Sequence, residues 1–314
     1  MSPHDDVLDI HVHGAVGEPF GGTVEGTLAA AAHHGGGVVA SLVSGTPDEM
    51  ARQVGVVAAA MTKGDPRSSA IRGIHCEGPF LSTVRRGAHD PHVLRDADPA
   101  LVERLVGVAA DAGAPGGIKH WTFAPERTSG GLAPFVRTLV EHGVVPAVGH
   151  TDAPAAQVRA ALGLVADTLG APGLVTHLFN GMPAFHHRSG GPVAAAMSAA
   201  AAGECLVEVI ADGVHVAPEV VRMVFETLGP DRVVLVSDAM SATGLGDGDH
   251  LLGTLPVRVR DGVARLVVEE GEGSIAGSTS TLERCVRWAV DVAGVDEQDA
   301  RTSATRTPAA ALRL

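Results

Sequence analysis

Six residues that could bind a metal ion or transfer a proton stand at or near the ends of apolar stretches: His11, His13, Glu77, His150, His177 and Asp238. His11 and His13 are two positions apart, so on a β-strand their side chains point to the same face. Glu77 ends a second apolar stretch, where an unpaired buried carboxylate would be costly. Glu77, His150 and His177 would provide the His2Glu ligand set that catalytic zinc uses with one position open for water. His11 and His13 would leave room for a second ion.

Each of these residues also has a plainer role open to it. The two amino-terminal histidines could be polar residues at a strand end, and Glu77 could form an ion pair with Arg85 or Arg86. Asp238 could be a metal ligand, a general base that later protonates a leaving group, or a helix-capping aspartate. The number of candidates at strand ends favours the metal site.

Further polar residues lie beyond two of the same apolar stretches. Residues 176–188 include Asn180 and Arg188, and positive charge here could attract an anionic substrate to an acidic protein. Asp212 and His215 follow another stretch, where they could bind substrate hydroxyls or serve only as turn residues beside a glycine.

The elements that must position these residues alternate between apolar runs and segments with helical spacing. Segments Pro99–Ala112 and Pro218–Leu228 are two such helical segments. Alternation of this kind predicts a parallel sheet, and eight repeats predict an α/β fold closed into a (β/α)8 TIM-like barrel. A barrel of this type holds its active site at the carboxyl ends of its strands. The predicted strands are residues 7–13, 37–43, 70–77, 117–124, 144–150, 173–179, 205–212 and 232–238.

The carboxyl-terminal part departs from this alternation. Residues 253–269 contain two alternating runs around Asp261-Gly262, which predicts a β-hairpin insertion after the eighth strand. A helix is expected at 278–293, and one last short helix in 300–314 with Pro308 near its start. The chain shows no internal repeat or charged linker, so we predict one catalytic domain over residues 1–314.

Composition and charge exclude several classes of function. The formal net charge of −13 opposes nucleic-acid binding, which needs Lys and Arg to replace phosphate counterions. No apolar run is long and charge-free enough to span a bilayer, and residues 1–6 lack the features of a secretory signal. The three cysteines are scattered, which predicts reduced thiols and a cytoplasmic protein.

A series of short motifs adds to this reading. They are His-x-His-Gly, Gly-Ile-His-Cys-Glu-Gly-Pro-Phe-Leu, Gly-His-Thr-Asp-Ala, Thr-His-Leu-Phe-Asn-Gly-Met, His-His-Arg, Ile-Ala-Asp-Gly-Val-His, Val-Ser-Asp-Ala and Ile-Ala-Gly-Ser. In type and order they closely resemble the motifs of the N-acetylglucosamine-6-phosphate deacetylases, a family of the amidohydrolase superfamily. The resemblance runs from about Asp9 to Leu312.

This resemblance implies a divalent cation, Zn²⁺ or Fe²⁺, at Glu77, His150 and His177. In two-metal members a second ion lies at the position of His11 and His13, so one or two ions per subunit are expected. Asp238 matches the catalytic acid and base of the family. The residues that match substrate contacts are Ala88, His89, Asn180, Gly181, Arg188, His215, Ile275, Ala276 and Gly277. A homodimer is also implied, with Arg188 able to act across the interface.

The implied reaction is metal-dependent hydrolysis of the acetamide of N-acetyl-D-glucosamine 6-phosphate to D-glucosamine 6-phosphate and acetate in amino-sugar catabolism. The family normally carries a small β-sandwich, of which we expect little or none in this chain. Two other functions stay open. One is an amidohydrolase for another N-acyl or cyclic amide substrate, and the other is a catalytically impaired, truncated barrel that binds sugar phosphate.

Overall fold

A computed structural model describes residues 7–314, and residues 1–6, where we predicted the absence of a secretory signal, lie outside the described residues. Eight strands pair in parallel and in chain order, each within the range predicted for it. They are β1 (Leu8–Val12), β2 (Gly37–Val43), β3 (Ile71–Glu77), β4 (Ile118–Phe123), β5 (Val145–Val148), β6 (Gly173–Val175), β7 (Cys205–Ile210) and β8 (Val233–Val236).

Main-chain hydrogen bonds join the two ends of this sheet just beyond β1 and β8. The Asp238 N–H donates to the His11 carbonyl over 2.9 Å, and the His13 N–H donates to the Ala239 carbonyl over 2.7 Å. The sheet is therefore a nearly closed barrel, and the predicted (β/α)8 TIM-like α/β fold is confirmed. The carboxyl ends of all eight strands lie at one rim of this barrel.

Helices surround the barrel and cover one of its ends. They are α1 (Val24–His33), α2 (Pro47–Thr62), α3 (Pro99–Asp111), α4 (Leu132–Glu141), α5 (Ala155–Leu169), α6 (Gly191–Ala201), α7 (Pro218–Leu228), α8 (Leu282–Asp291), α9 (Glu297–Ala304) and α10 (Arg306–Leu312). Several begin with proline at the first helical position, where the missing N–H costs nothing. α2 also has a capping box, in which Thr46 and Glu49 each bind the other's main-chain N–H. None of the helices in residues 7–314 has the length and apolar character needed to cross a membrane.

Two buried apolar clusters account for the stability of the barrel. The larger one lies between the strands and the surrounding helices, and includes Trp121, Phe123 and Phe135. The second contains residues near the amino-terminal ends of the strands, such as Val145 and Leu174, together with Leu312 of α10. Since α10 covers that end, the opposite, carboxyl rim is the one left free for a site.

The tail differs from the single short helix predicted for residues 300–314. It forms two helices, α9 and α10, with Thr305 between them at φ −129° and ψ −78°. The proline ring of Pro308 clashes with a helical carbonyl four residues earlier, at Ala304, so α9 must end there. Pro308 is tolerated within the first turn of the helix that follows.

A small antiparallel sheet follows the barrel strands. It consists of β9 (Gly248–Leu252), β10 (Leu255–Arg260) and β11 (Val263–Leu266). The last two strands lie within the hairpin range 253–269, and Asp261 and Gly262 turn between them at φ values of +52° and +74°. The sequence did not indicate β9. Leu252 and Val257 of this sheet pack with Met240, which places the sheet against the carboxyl rim of the barrel.

Candidate active site

The strand ends that carry the candidate residues have unusual backbone conformations. The φ angle is +46° at His150, +25° at His177 and +51° at Asp238. Non-glycine residues rarely adopt such angles, and each costs about 1–3 kcal/mol. Strain of this kind persists only where surrounding contacts hold it, and it is concentrated at functional sites. The rim formed by β5, β6 and β8 therefore carries the backbone signature of a functional site.

Glu77, His150 and His177 meet at this rim although they are far apart in sequence. The Glu77 Oε1 atom lies 3.0 Å from His150 Nε2 and 3.1 Å from His177 Nε2, and the two nitrogens are 3.0 Å apart. Ligands about 2.1 Å from a tetrahedral cation stand about 3.4 Å from one another. The three atoms are thus spaced in the way that ligands of one cation are spaced.

The hydrogen bond made by His150 leaves its other nitrogen directed at this point. His150 Nδ1 lies 2.8 Å from the Arg85 carbonyl oxygen, which can only accept, so Nδ1 carries a proton. His150 Nε2 is then the atom that faces Glu77 Oε1 and His177 Nε2. A divalent cation can bind all three of these atoms, and the donor set fits one.

A second group of ligand atoms adjoins the first. His11 Nε2 lies 3.2 Å from His13 Nε2, and the latter lies 3.2 Å from both Glu77 Oε2 and Asp238 Oδ1. Glu77 contributes Oε1 to the first group and Oε2 to the second. The arrangement therefore offers two adjacent cation positions that share one carboxylate.

The electrostatics of the cluster favour positive charge. Burial raises the pKa of the Glu77 carboxyl, but the imidazoles of His11, His89 and His13 outweigh burial and hold that pKa well below its usual range. Burial lowers the pKa of His13, but hydrogen bonds with Asp238 and Glu77 raise it to about 9. Either protons or metal cations can supply the charge that these carboxylates require.

Asp238 remains ionised in this setting. Burial alone would raise its pKa, but the hydrogen bond with His13 and the charges of His11 and His13 lower it to about 2. An ionised carboxylate at neutral pH is able to accept a proton, as a general base must.

A cavity of about 330 Å³ opens onto these residues from the carboxyl rim. It is lined by candidate ligands and by most of the predicted substrate residues, namely Ala88, His89, Asn180, Gly181, His215, Ile275 and Gly277. A larger cavity of about 620 Å³ lies at the opposite end, beside Gly36, Arg72 and Arg306. Its lining contains none of the candidate ligands, so volume alone does not identify the site.

Two histidines in the cavity have defined hydrogen-bond roles. His89 Nδ1 accepts the Ser44 N–H over 3.3 Å, so its Nε2 carries the proton and donates to Glu77 Oε2 over 3.1 Å. His215 Nδ1 donates to Asp212 Oδ2 over 2.8 Å. Burial lowers the pKa of His215, but the bond with Asp212 outweighs burial and raises it. A protonated His215 can direct its Nε2–H into the cavity.

Two predicted substrate residues do not line the cavity. The side chain of Ala276 is buried in the cluster beneath the small sheet, between Ile275 and Gly277, which do reach the cavity. Arg188 is exposed and lies against its neighbour His187, with 3.0 Å between Nη1 and Nε2. An Arg188 that contacts substrate must therefore do so from another subunit or after its loop moves.

The sequence reasoning missed one buried acid, Glu208 on β7. Its side chain is fully buried, and Oε2 lies 2.9 Å from His11 Nδ1. A glutamate within the apolar run Cys205–Ile210 was the available signal, because a buried carboxylate needs a partner. His75, on β3, hydrogen-bonds with Ser41 and Thr122 through its two ring nitrogens, and its ring packs edge-on against that of His11 with 4.6 Å between the centroids.

Comparisons with known proteins point to one family of enzymes. No family model matches the chain. The N-acetylglucosamine-6-phosphate deacetylase of Vibrio furnissii is 32% identical over 98% of this chain and 73% of its own length. The N-acetylgalactosamine-6-phosphate deacetylase of Escherichia coli O157:H7 is 30% identical over 96% of this chain and 76% of its own length. A solved structure shows a Mycobacterium smegmatis N-acetyl-D-glucosamine-6-phosphate deacetylase mutant in complex with N-acetyl-D-glucosamine-6-phosphate. It superposes with a TM-score of 0.85 and 40% sequence identity, and the match covers 98% of this chain and 77% of that one.

Proposed function

Since the chain belongs to the N-acetylglucosamine-6-phosphate deacetylase family, we propose that it hydrolyses the acetamide of N-acetyl-D-glucosamine 6-phosphate to D-glucosamine 6-phosphate and acetate in amino-sugar catabolism. The observation that carries this proposal is the meeting of Glu77, His150 and His177 beside an ionised Asp238. All four face a cavity large enough for a small sugar phosphate.

The metal centre would hold Zn²⁺ or Fe²⁺ at Glu77, His150 and His177, and a second ion at His11 and His13 beside the shared Glu77. Mixed nitrogen and oxygen ligands suit both metals. Such a cation would polarise the scissile carbonyl and lower the pKa of a water molecule in the cavity.

The chain's own residues would move the protons. Asp238 accepts a proton from the attacking water as the oxygen of that water bonds to the carbonyl carbon. His215 Nε2–H donates a hydrogen bond to the oxygen on which negative charge develops. Asp238 then returns its proton to the nitrogen as the C–N bond breaks, which releases acetate and the amine.

Substrate contacts would come from the residues around this centre. Ala88, Asn180 and Gly181 lie on loops beside it, and Ile275 and Gly277 lie on the segment after the small sheet. We propose a homodimer in which Arg188 binds the phosphate in the neighbouring subunit's cavity, since Arg188 is exposed and outside its own cavity.

The remaining features fit a cytoplasmic enzyme with one catalytic domain over residues 1–314. The small sheet packs on the barrel and Leu252 lines the cavity, so this insertion would be part of the same functional unit. The three cysteines are free and buried, which accords with a reducing compartment.

Acetate release from N-acetylglucosamine 6-phosphate tests the proposal directly. The purified protein should release acetate, lose this activity after chelation and regain it when Zn²⁺ or Fe²⁺ is restored. N-acetylgalactosamine 6-phosphate and unphosphorylated N-acetylglucosamine serve as matched substrates for the epimer and the phosphate. Equal turnover with and without the phosphate would favour another N-acyl substrate, and no acetate with any metal would contradict the proposal.

A further inference from the structure

Glu208 is the one acidic side chain on β7, and it points into the barrel beneath the candidate metal centre. It is fully buried and surrounded in sequence by apolar residues. A buried carboxylate that serves only the fold is expensive, so its contacts should explain its presence. Its Oε1 atom has no hydrogen-bond partner among the described residues. The contacts that account for the buried carboxylate are therefore those of Oε2.

The Oε2 atom accepts two hydrogen bonds, each from a different candidate ligand. One comes from His11 Nδ1–H over 2.9 Å, and the other from the main-chain N–H of His177 over 3.1 Å. His11 belongs to the group with His13, whereas His177 belongs to the group with His150. A single oxygen atom therefore contacts one ligand at each of the two cation positions.

Each contact has a specific consequence. A proton held on His11 Nδ1 leaves Nε2 as the nitrogen available to a cation, and Nε2 is the atom that faces His13 and Glu77. The bond to the His177 N–H holds that residue at its positive φ, which directs Nε2 toward Glu77. Hydrogen bonds of this kind fix the tautomer and orientation of metal-binding histidines.

We propose that Glu208 is a positioning residue that prepares His11 and His177 for two adjacent cations. The inference rests on the proposed function, because it assumes that cations occupy both positions. It assigns Glu208 no contact with substrate.

Cation binding to metal-free protein tests this role apart from activity. The variants are Glu208→Met, which removes the acceptor, and Glu208→Gln, whose amide oxygen can still accept both N–H groups. His120→Phe is the matched control, because His120 is buried 3.8 Å from Glu208 and neither of its ring nitrogens has a hydrogen-bond partner within residues 7–314. Calorimetric titration with Zn²⁺ and the visible spectrum of the Co²⁺-loaded protein are the measurements.

Wild-type protein and His120→Phe should bind two cations per chain. Glu208→Met should bind them about 10–100-fold more weakly and show an altered Co²⁺ spectrum. Glu208→Gln should lose less affinity, since a neutral acceptor gives about half the strength of a charged one. If Glu208→Met does not fold, Glu208→Gln alone decides.

Unchanged affinity and an unchanged Co²⁺ spectrum in the Glu208 variants would overturn the proposal, as would a single cation per wild-type chain. Acetate release by the wild-type protein is measured in parallel. If it binds two cations, depends on Glu208 for them and releases no acetate, the proposed function fails while the role of Glu208 stands. If acetate is released and the Glu208 variants bind cations normally, only the role of Glu208 fails.

Discussion

Replacing Gly181 by alanine should weaken cation binding at the proposed metal centre by displacing His150. A Cβ atom at Gly181 would lie 2.7 Å from His150 Nδ1 and 3.1 Å from its Cε1, whereas ordinary contact begins near 3.4 Å. The imidazole would have to move by the difference, about 0.7 Å. It cannot do so freely, because Nδ1–H also donates to the Arg85 carbonyl over 2.8 Å.

The size of the effect follows from the tolerance of such sites. Functional groups must be held within about 0.5 Å of their productive positions, and a displacement near 1 Å costs about 100-fold in rate. We therefore expect Gly181→Ala to bind Zn²⁺ about 10–100-fold more weakly and to lose about 100-fold in kcat/KM for acetate release. A 100-fold loss corresponds to about 2.7 kcal/mol of transition-state stabilisation.

Gly170→Ala is the control, because it separates this displacement from backbone strain. Gly170 ends α5 at φ +62°, close to the +59° of Gly181, but a Cβ there would meet nothing within 4 Å. Both variants should lose about 1–2 kcal/mol of unfolding free energy in urea, since both place a side chain at positive φ. Equal Zn²⁺ affinity and equal acetate release in the two variants would show that the position of His150 does not control the site.

Three further predictions follow from single residues. Asp238→Asn should contain as much metal as wild-type protein in metal analysis but release acetate about 10²–10⁴-fold more slowly, and undiminished release would remove Asp238 from its assigned role. Burial lowers the pKa of His34 from 6.5 to about 4, so between pH 6.5 and pH 4 the unfolded chain binds more protons than the folded chain. The free energy of unfolding of the wild-type protein should therefore fall by up to about 3 kcal/mol as the pH drops through this range. His34→Gln should lack this component in urea unfolding at pH 7 and pH 5, and an identical pH dependence would contradict the assignment. Thr46→Ala should cost about 1 kcal/mol of unfolding free energy by removing the α2 cap, while an unchanged midpoint would show that the cap contributes nothing.

The barrel could be predicted because its strands carry their own signal. Most are short apolar runs, and each is buried along its whole length or nearly so. β9 carried no such signal, because Gly248–Leu252 is largely exposed and contains a charged Asp249. It is a strand because it pairs with β10, and that pairing depends on the fold rather than on local propensity.

The ligand set at the rim could be proposed from residue types at strand ends, but its support could not. Glu208 lies 197 residues from His11 in sequence and 31 from His177, and no local pattern predicts such contacts. The positive φ angles are equally invisible, because a histidine after an apolar run reads simply as the end of a strand.

The origin of that strain shows how the barrel and the site depend on each other. Asp238 keeps its positive φ while its N–H donates to the carbonyl of His11 across the seam between β8 and β1. The same seam brings Asp238 Oδ1 to within 3.2 Å of His13 Nε2. Contacts across the closing edge must therefore offset the backbone strain of about 1–3 kcal/mol at Asp238, the residue that this strain directs toward His13. Closure of the sheet and the approach of Asp238 to His13 are, in this protein, a single structural event.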